Sequence, residues 1–88
     1  MKSAQVKILN HLGLHARPAS KLVKIASTGN SEVFLVKDGK RVNGRSILGL
    51  ILLEAEQGSR VTIEVSGEDE EQVLARIVEL VQNKFGED

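Results

Sequence analysis

Alternating apolar and polar residues predict the β-strands of this chain. Residues 4–8 and 61–66 place an apolar side chain at every second position, the period of a strand with one buried face. Residues 32–37 are rich in β-forming side chains. The pair Asp38-Gly39 that follows favours a type I′ hairpin turn, which needs positive φ at both central residues. Residues 40–43 should therefore return antiparallel.

A period near 3.6 residues predicts two amphipathic helices. The first begins at about Ala16 to Pro18, because proline suits the first turn of a helix. It ends at Gly29-Asn30, since both residues tolerate the left-handed conformation. The last helix has the acidic residues 68–71 in its first turn, where the helix dipole favours them. The apolar stripes are Ala19, Leu22, Val23 and Ala26 in the first helix, and Val73, Leu74, Ile77, Val78 and Val81 in the last.

The segment 47–53 is apolar on nearly every side, apart from Gly49, and its length suits a helix of about two turns. Ser46 is a good N-cap residue, and Gly58 is available to close the C-terminal turn. A strand stays open as the alternative, because short apolar runs are ambiguous. Beyond the last helix, the tail Gly86-Glu87-Asp88 is expected to fray.

The predicted order of elements is β-α-β-β-α-β-α. We expect one domain over residues 1–88, because a chain of this length supports one core but not two. Strands with one polar face and helices with one apolar stripe form a two-layer α+β sandwich. These patterns leave the order of the strands in the sheet open.

Charge and composition narrow the classes of function. Twelve basic and twelve acidic residues cancel, which argues against nucleic acid as a partner, and two aromatic residues are too few for a base-stacking platform. Without cysteine there is no disulfide, thiol chemistry or cysteine-based zinc site. No signal region or apolar membrane span is present, so we expect a cytoplasmic protein that does not insert into membranes.

The segment Gly13-Leu14-His15-Ala16-Arg17-Pro18-Ala19 concentrates candidate chemistry at a helix entrance. A helix N-terminus attracts anions, because it carries unpaired N–H groups and the positive end of the dipole. A neutral histidine there offers a ring nitrogen as a nucleophile or proton acceptor. A phosphoryl group on His15 would meet the amides of Ala16 or Arg17 and the Arg17 guanidinium. Because a nitrogen–phosphorus bond is labile, such a group would be passed on.

The same histidines have other interpretations. His11 and His15 show the four-residue spacing of a helical metal pair, but Gly13 and the helix start at Pro18 argue against a helix through them. No cysteine or nearby carboxylate supplies a third ligand, so we expect no metal site. A Ser-His-Asp triad assembles across a fold, yet no Gly-x-Ser-x-Gly motif supports one. An ordinary loop histidine at position 15 stays open as well.

Ser46 and the helix after it point to a second surface. N-capping alone accounts for a serine at this place. The functional alternative is phosphorylation, which the helix dipole tolerates and which would add negative charge beside Ile47 and Leu48. The segment 47–53 carries more apolar residues than one side of so short a helix can bury. Two interpretations stay open: a core helix with scattered exposed side chains, or a contact surface for another protein. Lys24 and Arg45 would give this surface a basic rim suited to an acidic partner.

Two motifs resemble the signatures of one family. The segment Gly13–Ala19 is similar to the active-site signature of HPr, the histidine-containing phosphocarrier of the bacterial phosphoenolpyruvate-dependent phosphotransferase system. The segment Gly44-Arg45-Ser46-Ile47-Leu48-Gly49 resembles the second signature of that family, around its regulatory serine. The resemblance covers essentially the whole chain, and two separate motifs at the expected spacing make it specific.

The resemblance implies a fold, a reaction and a set of partners. The fold would be an open-faced sandwich, an antiparallel sheet in the order 1-4-2-3 with three helices on one face. His15 would accept a phosphoryl group on Nδ1 from phosphorylated enzyme I, steadied by Arg17, and pass it to a IIA domain without any cofactor. Ser46 would match the serine that HPr kinase/phosphorylase modifies. The protein would be a monomer whose partner surface includes Leu14, Lys24, Arg45, Ile47, Leu48 and Ile51.

The resemblance leaves two branches of the family open. Leu48 stands where methionine or phenylalanine is frequent in sugar-transport members. The segments Asn10-His11-Leu12-Gly13 and Phe85-Gly86-Glu87-Asp88 are also similar to the nitrogen-branch paralogue, which generally lacks the full second signature present here. We therefore expect a general phosphocarrier of sugar transport. The alternative is a regulatory or nitrogen-branch relative that acts mainly by protein docking.

Overall fold

Strands and helices follow one another in the order that the periodicity predicted. The computed structural model describes residues 1–87. Its elements are β1 (Lys2–Lys7), α1 (Ala16–Thr28), β2 (Glu32–Lys37), β3 (Lys40–Asn43), α2 (Ile47–Leu52), β4 (Arg60–Ser66) and α3 (Glu70–Gln82), followed by a short 3₁₀ helix (Lys84–Gly86). The four strands form one antiparallel sheet in the order β1-β4-β2-β3, which confirms the order that the resemblance implied.

The core lies between one face of the sheet and the helices. Ile63 of β4 pairs with Ala4 on one side and with Leu35 on the other, which aligns three apolar side chains across the sheet. Leu22 of α1 and Ile77 of α3 are fully buried, and both helices pack within this layer. Burying each such side chain contributes about 1.5–3 kcal/mol, so the apolar stripes account for the packing of the helices.

The other face of the sheet is open, as expected for an open-faced sandwich. Phe34 of β2 and Glu64 of β4 are only half-buried there. The guanidinium of Arg41 lies 3.7 Å above the Phe34 ring and its Nε lies 3.0 Å from a carboxylate oxygen of Glu64. A cation over an aromatic ring and a cross-strand ion pair each add a modest stabilisation to an exposed sheet surface.

 The turn between β2 and β3 and the start of α2 have the local structure that the sequence predicted. The φ angle is 50° at Asp38 and 81° at Gly39, so it is positive at both central residues. Positive φ at both central residues confirms the two-residue hairpin between β2 and β3. At the start of α2, the Ser46 hydroxyl accepts a hydrogen bond from the Gly49 N–H at 2.9 Å, which confirms Ser46 as the N-cap. The segment after Ser46 is helical, so the alternative of a strand was wrong.

Two helix ends differ from the sequence prediction. α1 ends at Thr28, and Gly29 is extended (φ −98°) rather than left-handed. Glycine suits this position because there is no room for a side chain: a Cβ would lie 2.8 Å from both Oδ2 of Asp69 and Cγ2 of Val73. α2 ends before Glu54, which has a φ of 56°. Gly58 does not close that helix; it belongs to the next turn, where its N–H donates to the carbonyl of Ile8 at 2.8 Å.

Side chains from elsewhere in the chain hold the end of α1. The Nε of Arg45 donates to the carbonyl of Ala26 at 3.0 Å, and its Nη2 donates to the carbonyl of Ser31 at 2.9 Å. The bond to Ala26 satisfies a carbonyl group that the helix leaves unpaired at its C-terminus, and the bond to Ser31 ties Arg45 to the segment that follows α1. Within residues 1–87, no helix has both the length and the apolar character needed to cross a bilayer.

Candidate functional site

A tightly held loop brings His15 to the start of α1. The side-chain amide of Asn10 donates to the carbonyl of Gly13 at 2.7 Å, and the N–H of Leu14 donates to the carbonyl of Ala55 at 2.9 Å. Gly13 has a φ of 71°, and a Cβ there would lie 2.5 Å from the Ala55 carbonyl oxygen. Only glycine permits both this conformation and this approach, so the loop geometry before His15 depends on it.

His15 is the N-cap residue of α1, with an extended backbone (φ −95°, ψ −167°). Its carbonyl accepts the N–H of Ala19 at 2.9 Å, the first bond of the helix. The amides of Ala16 and Arg17 precede that bond, so they are available to an anion, and Pro18 has no N–H to offer. The helix start predicted from Pro18 is confirmed, and it places the two amides next to the histidine.

The imidazole of His15 contacts a carboxylate that the sequence analysis did not predict. Its Nε2 lies 3.1 Å from both Oε1 and Oε2 of Glu87, and the imidazole side chain is 36% exposed. An ionised carboxylate only accepts hydrogen bonds, so Nε2 must carry the proton in this contact. In the neutral ring, Nδ1 then holds the lone pair.

Glu87 is held in place from both sides. Its Oε1 accepts a hydrogen bond from Nδ2 of Asn10 at 3.1 Å, and its side chain is 15% exposed. Nearby, Nζ of Lys21 donates to the carbonyl of Phe85 at 2.6 Å, and the Phe85 ring is fully buried. The prediction that the tail frays was therefore wrong for Gly86 and Glu87, while Asp88 lies outside the described residues.

The hydrogen bond from His15 lowers the pKa of the Glu87 carboxyl, and the bond from Asn10 and the nearby charges of His15 and Arg17 act in the same direction. Partial burial opposes them, because it disfavours the charged form. The net lowering keeps this group a carboxylate at neutral pH. It therefore serves as an acceptor for the histidine proton.

A cleft beside the imidazole suits an anion. Arg17 and Lys21 supply positive charge to it, and Glu87 lies at its edge; the other lining residues are Leu12, His15, Ala16, Ser20 and Gly86. Arg17 is exposed and forms no ion pair within residues 1–87. A guanidinium with unused donors beside a nucleophilic nitrogen can contact the oxygen atoms of a phosphoryl group.

The apolar surface predicted on α2 is exposed in part. Leu48 is 66% exposed, and Ile47 and Ile51 are also exposed, whereas Leu50 and Leu53 are buried in the core. The structure adds Leu12 and Leu52 to the exposed apolar residues. Lys24 is exposed on α1, which packs against α2.

Two residues predicted for the partner surface have other contacts. Leu14 is buried, so it belongs to the core and not to an exposed contact surface. The spacing of the motif could not show this, because burial here depends on the loop folding against Ala55. Arg45 is exposed, but its guanidinium is bonded to the carbonyls at the end of α1. Arg45 therefore has a structural role in addition to the one that the sequence predicted.

Asn10 and Glu87 are the site residues that the sequence analysis missed. Glu87 lies 72 residues from His15 along the chain, and no local pattern links them. His11 is exposed. Within residues 1–87, no group of three or more His, Cys, Asp or Glu side chains is placed to hold a metal ion.

Comparisons with known proteins agree with this geometry. The sequence model of the family PTS-HPr, described as "PTS HPr component phosphorylation site", matches residues 2–83. Phosphocarrier protein HPr of Neisseria meningitidis serogroup A is 40% identical over 87 residues, which cover 99% of this chain and 98% of that protein. A crystal structure of HPr from Thermoanaerobacter tengcongensis superposes with a TM-score of 0.95 at 42% identity, covering 100% of this chain and 99% of the other.

Proteins with two other names also match this chain. The HPr-like protein Crh of Bacillus subtilis is 42% identical over 84 residues, covering 96% of this chain and 99% of that protein. Phosphocarrier protein NPr of Shewanella violacea is 42% identical over 83 residues, covering 94% of this chain and 91% of that protein. Proteins of all three names therefore match this chain at 40–42% identity.

Proposed function

This chain belongs to the HPr family of phosphocarrier proteins, and we propose that it carries a phosphoryl group on Nδ1 of His15. The observation that supports this most is the contact of Nε2 with Glu87 at 3.1 Å. It directs the proton of the neutral ring to Nε2 and leaves the Nδ1 lone pair for attack on phosphorus. Arg17 and the amides of Ala16 and Arg17 would then contact the phosphoryl oxygens.

The donor is phosphorylated enzyme I, and the acceptor is a IIA domain. In the first transfer, Nδ1 of His15 forms a bond to phosphorus while the bond between phosphorus and the donor atom of enzyme I breaks. The electron pair of the broken bond stays with that donor atom. The second transfer repeats this exchange with the acceptor, so the chain turns over no small molecule by itself. We also propose that the protein acts in the cytoplasm, as a monomer of one domain.

Docking is assigned to the exposed apolar residues of α2. Ile47, Leu48 and Ile51 are exposed beside Lys24 of α1, which gives an apolar surface with a positive charge at its edge. Such a surface suits an acidic partner with an apolar centre. Phosphorylation of Ser46 by HPr kinase/phosphorylase would place negative charge beside this surface and weaken docking by repulsion.

A labelling experiment tests the carrier function. The protein is incubated with enzyme I and phosphoenolpyruvate carrying a labelled phosphoryl group, and the product is then acidified. We expect the wild-type protein to carry a label that is lost in acid, and His15→Ala to carry no label. His11→Ala is the matched control, because His11 is the other histidine and is exposed. Label retained in His15→Ala would overturn the assignment.

A regulatory protein that acts by docking is the second candidate, and the similarity to Crh and NPr favours it. The two candidates differ in their acceptors. Labelled protein is mixed in turn with a IIA domain of sugar transport and a IIA domain of the nitrogen branch. Rapid loss of label to the sugar-transport domain supports the first candidate, and transfer to the nitrogen-branch domain alone supports the second.

A further inference from the structure

Glu87 makes the one side-chain hydrogen bond that the structure shows to the His15 imidazole within residues 1–87. Both carboxylate oxygens lie 3.1 Å from Nε2, a distance within the normal range for a hydrogen bond. The histidine is at the start of α1, and the carboxylate follows the 3₁₀ helix after α3. A contact between two such distant parts of the chain depends on the fold.

The carboxylate is fixed by groups that do not themselves react. Asn10 is fully buried and donates from Nδ2 both to the Gly13 carbonyl at 2.7 Å and to Oε1 of Glu87 at 3.1 Å. Its Oδ1 has no hydrogen-bond partner within residues 1–87. A buried amide that leaves its oxygen unpaired is uncommon. The opposite orientation would point Oδ1 at the carboxylate, so the contact with Glu87 selects the observed one.

The reaction places charge on the imidazole. When Nδ1 bonds to phosphorus and Nε2 keeps its proton, the ring becomes a phosphoimidazolium with one positive charge. The donor keeps the electron pair of the bond that breaks, so the new charge stays on His15. A carboxylate at Nε2 lies beside this charge and stabilises it more than it stabilises the neutral ring.

We propose that Glu87 is a positioning residue for phosphoryl transfer, which orients His15 through Nε2 and balances the charge of the phosphorylated ring, with Asn10 holding the carboxylate. The proposal rests on the proposed function of His15 as the phosphoryl acceptor. It assigns a role in the same reaction to a residue outside both sequence motifs. The charged groups that share the cleft with the ring are Arg17 and Lys21 of α1 and Glu87 itself.

Two phosphoryl donors separate chemistry from docking. Phosphorylated enzyme I must bind the protein, whereas phosphoramidate is a small donor that loses ammonia when its phosphorus–nitrogen bond breaks. Initial rates are measured with both donors for the wild type and for Glu87→Gln, Glu87→Ala and Glu87→Asp. Glu79→Gln is the matched control, since Glu79 is an exposed carboxylate of α3. Circular dichroism verifies that each variant is folded.

We expect phosphoryl transfer to Glu87→Gln to be about tenfold slower with both donors. A tenfold change corresponds to about one pKa unit of stabilisation of the charged ring. With enzyme I, the loss should fall on kcat and leave KM near its wild-type value, because docking is unaffected. Glu87→Asp should recover part of the rate, since it keeps the charge. Glu79→Gln should match the wild type.

The pH profile for hydrolysis of the phosphorylated protein gives a second readout. Phosphohistidine is hydrolysed faster when its ring is protonated, so loss of the carboxylate should move the half-maximal rate to lower pH by about one unit. Wild-type rates with both donors and an unmoved pH profile in Glu87→Gln would overturn the proposal. Failure of enzyme I to label the wild type, with normal labelling by phosphoramidate, would instead contradict the proposed function.

Discussion

The hydroxyl of Ser31 donates a hydrogen bond to the carboxylate of Asp69, although 38 residues separate them in the chain. The other oxygen of Asp69 accepts the N–H of Asn30 at 3.0 Å. Asp69 is the N-cap residue of α3, but its side chain makes no capping bond to its own helix. It joins the start of α3 to the segment that follows α1.

This contact predicts how stability changes with pH. The hydrogen bond from Ser31 lowers the pKa of the Asp69 carboxyl below 3.8, and the bond from Asn30 adds to the effect. The folded state therefore binds the proton less tightly than the unfolded state does. The stabilisation is fully present above pH 3.8 and is lost as the pH falls through the lower, folded-state pKa.

Asp69→Asn should therefore lower the melting temperature at neutral pH, and the difference from the wild type should shrink as the pH falls below about 4. Thermal unfolding followed by circular dichroism between pH 2 and pH 7 measures the melting temperature and its dependence on pH. This range includes the usual pKa of an Asp side chain. Glu68→Gln is the control, because Glu68 is an exposed acidic residue next to Asp69. A difference that stays constant down to the lowest pH would contradict the prediction.

Gly29→Ala should destabilise the same junction by about 1–3 kcal/mol, the usual cost of overpacking. The backbone of Gly29 suits alanine, with a φ of −98°, so the cost comes from space alone. The new Cβ would lie 2.8 Å from Asp69 and Val73. Chemical denaturation measures the change, and stability equal to that of the wild type would show that the junction relaxes freely.

Arg17→Ala should slow transfer from enzyme I by about 100- to 1,000-fold while the fold stays intact, because a cationic donor to the transferring phosphoryl group is lost. Arg17 is exposed and forms no ion pair within residues 1–87 that would be broken. Rapid-quench labelling measures the rate. Arg76→Ala removes an exposed positive charge from α3 and should have no effect. Equal rates for both variants would remove the role given to Arg17.

Ser46→Ala should reduce stability by about 0.5–2 kcal/mol, because the hydroxyl that accepts the Gly49 N–H is lost. Ser46→Asp should largely keep the stability, since aspartate is also a good N-cap, but should weaken binding to enzyme I through its added charge. Calorimetry for stability and titration for binding separate the two effects. A Ser46→Asp variant that binds like the wild type would leave Ser46 with a structural role only.

Leu48→Ala and Leu50→Ala separate docking from folding on one short helix. Leu48 is 66% exposed, so its loss should leave stability within about 0.5 kcal/mol and weaken binding to enzyme I. Leu50 is fully buried, so its loss should cost about 2–5 kcal/mol. Denaturant unfolding and binding titrations measure the pair. Unchanged binding in Leu48→Ala would exclude this residue from the partner surface.

The sequence by itself determined the local features of this protein. Periodicity predicted the strands and helices, Pro18 predicted the start of α1, and Asp38-Gly39 predicted the hairpin. Each depends on residues within a few positions of one another, whose backbone preferences and hydrogen bonds are short in range. The motif around His15 also indicated an anion site, since the residues that form it are consecutive.

Only the tertiary structure decided which distant residues meet. It placed Glu87 and Asn10 against His15, bonded Arg45 to the end of α1 and buried Leu14 in the core. It also gave Gly29 a packing role in place of a left-handed cap. These outcomes follow from how the helices pack on the sheet, and spacing along the chain carries no information about that packing. The site therefore combines a local motif with a carboxylate that the fold supplies.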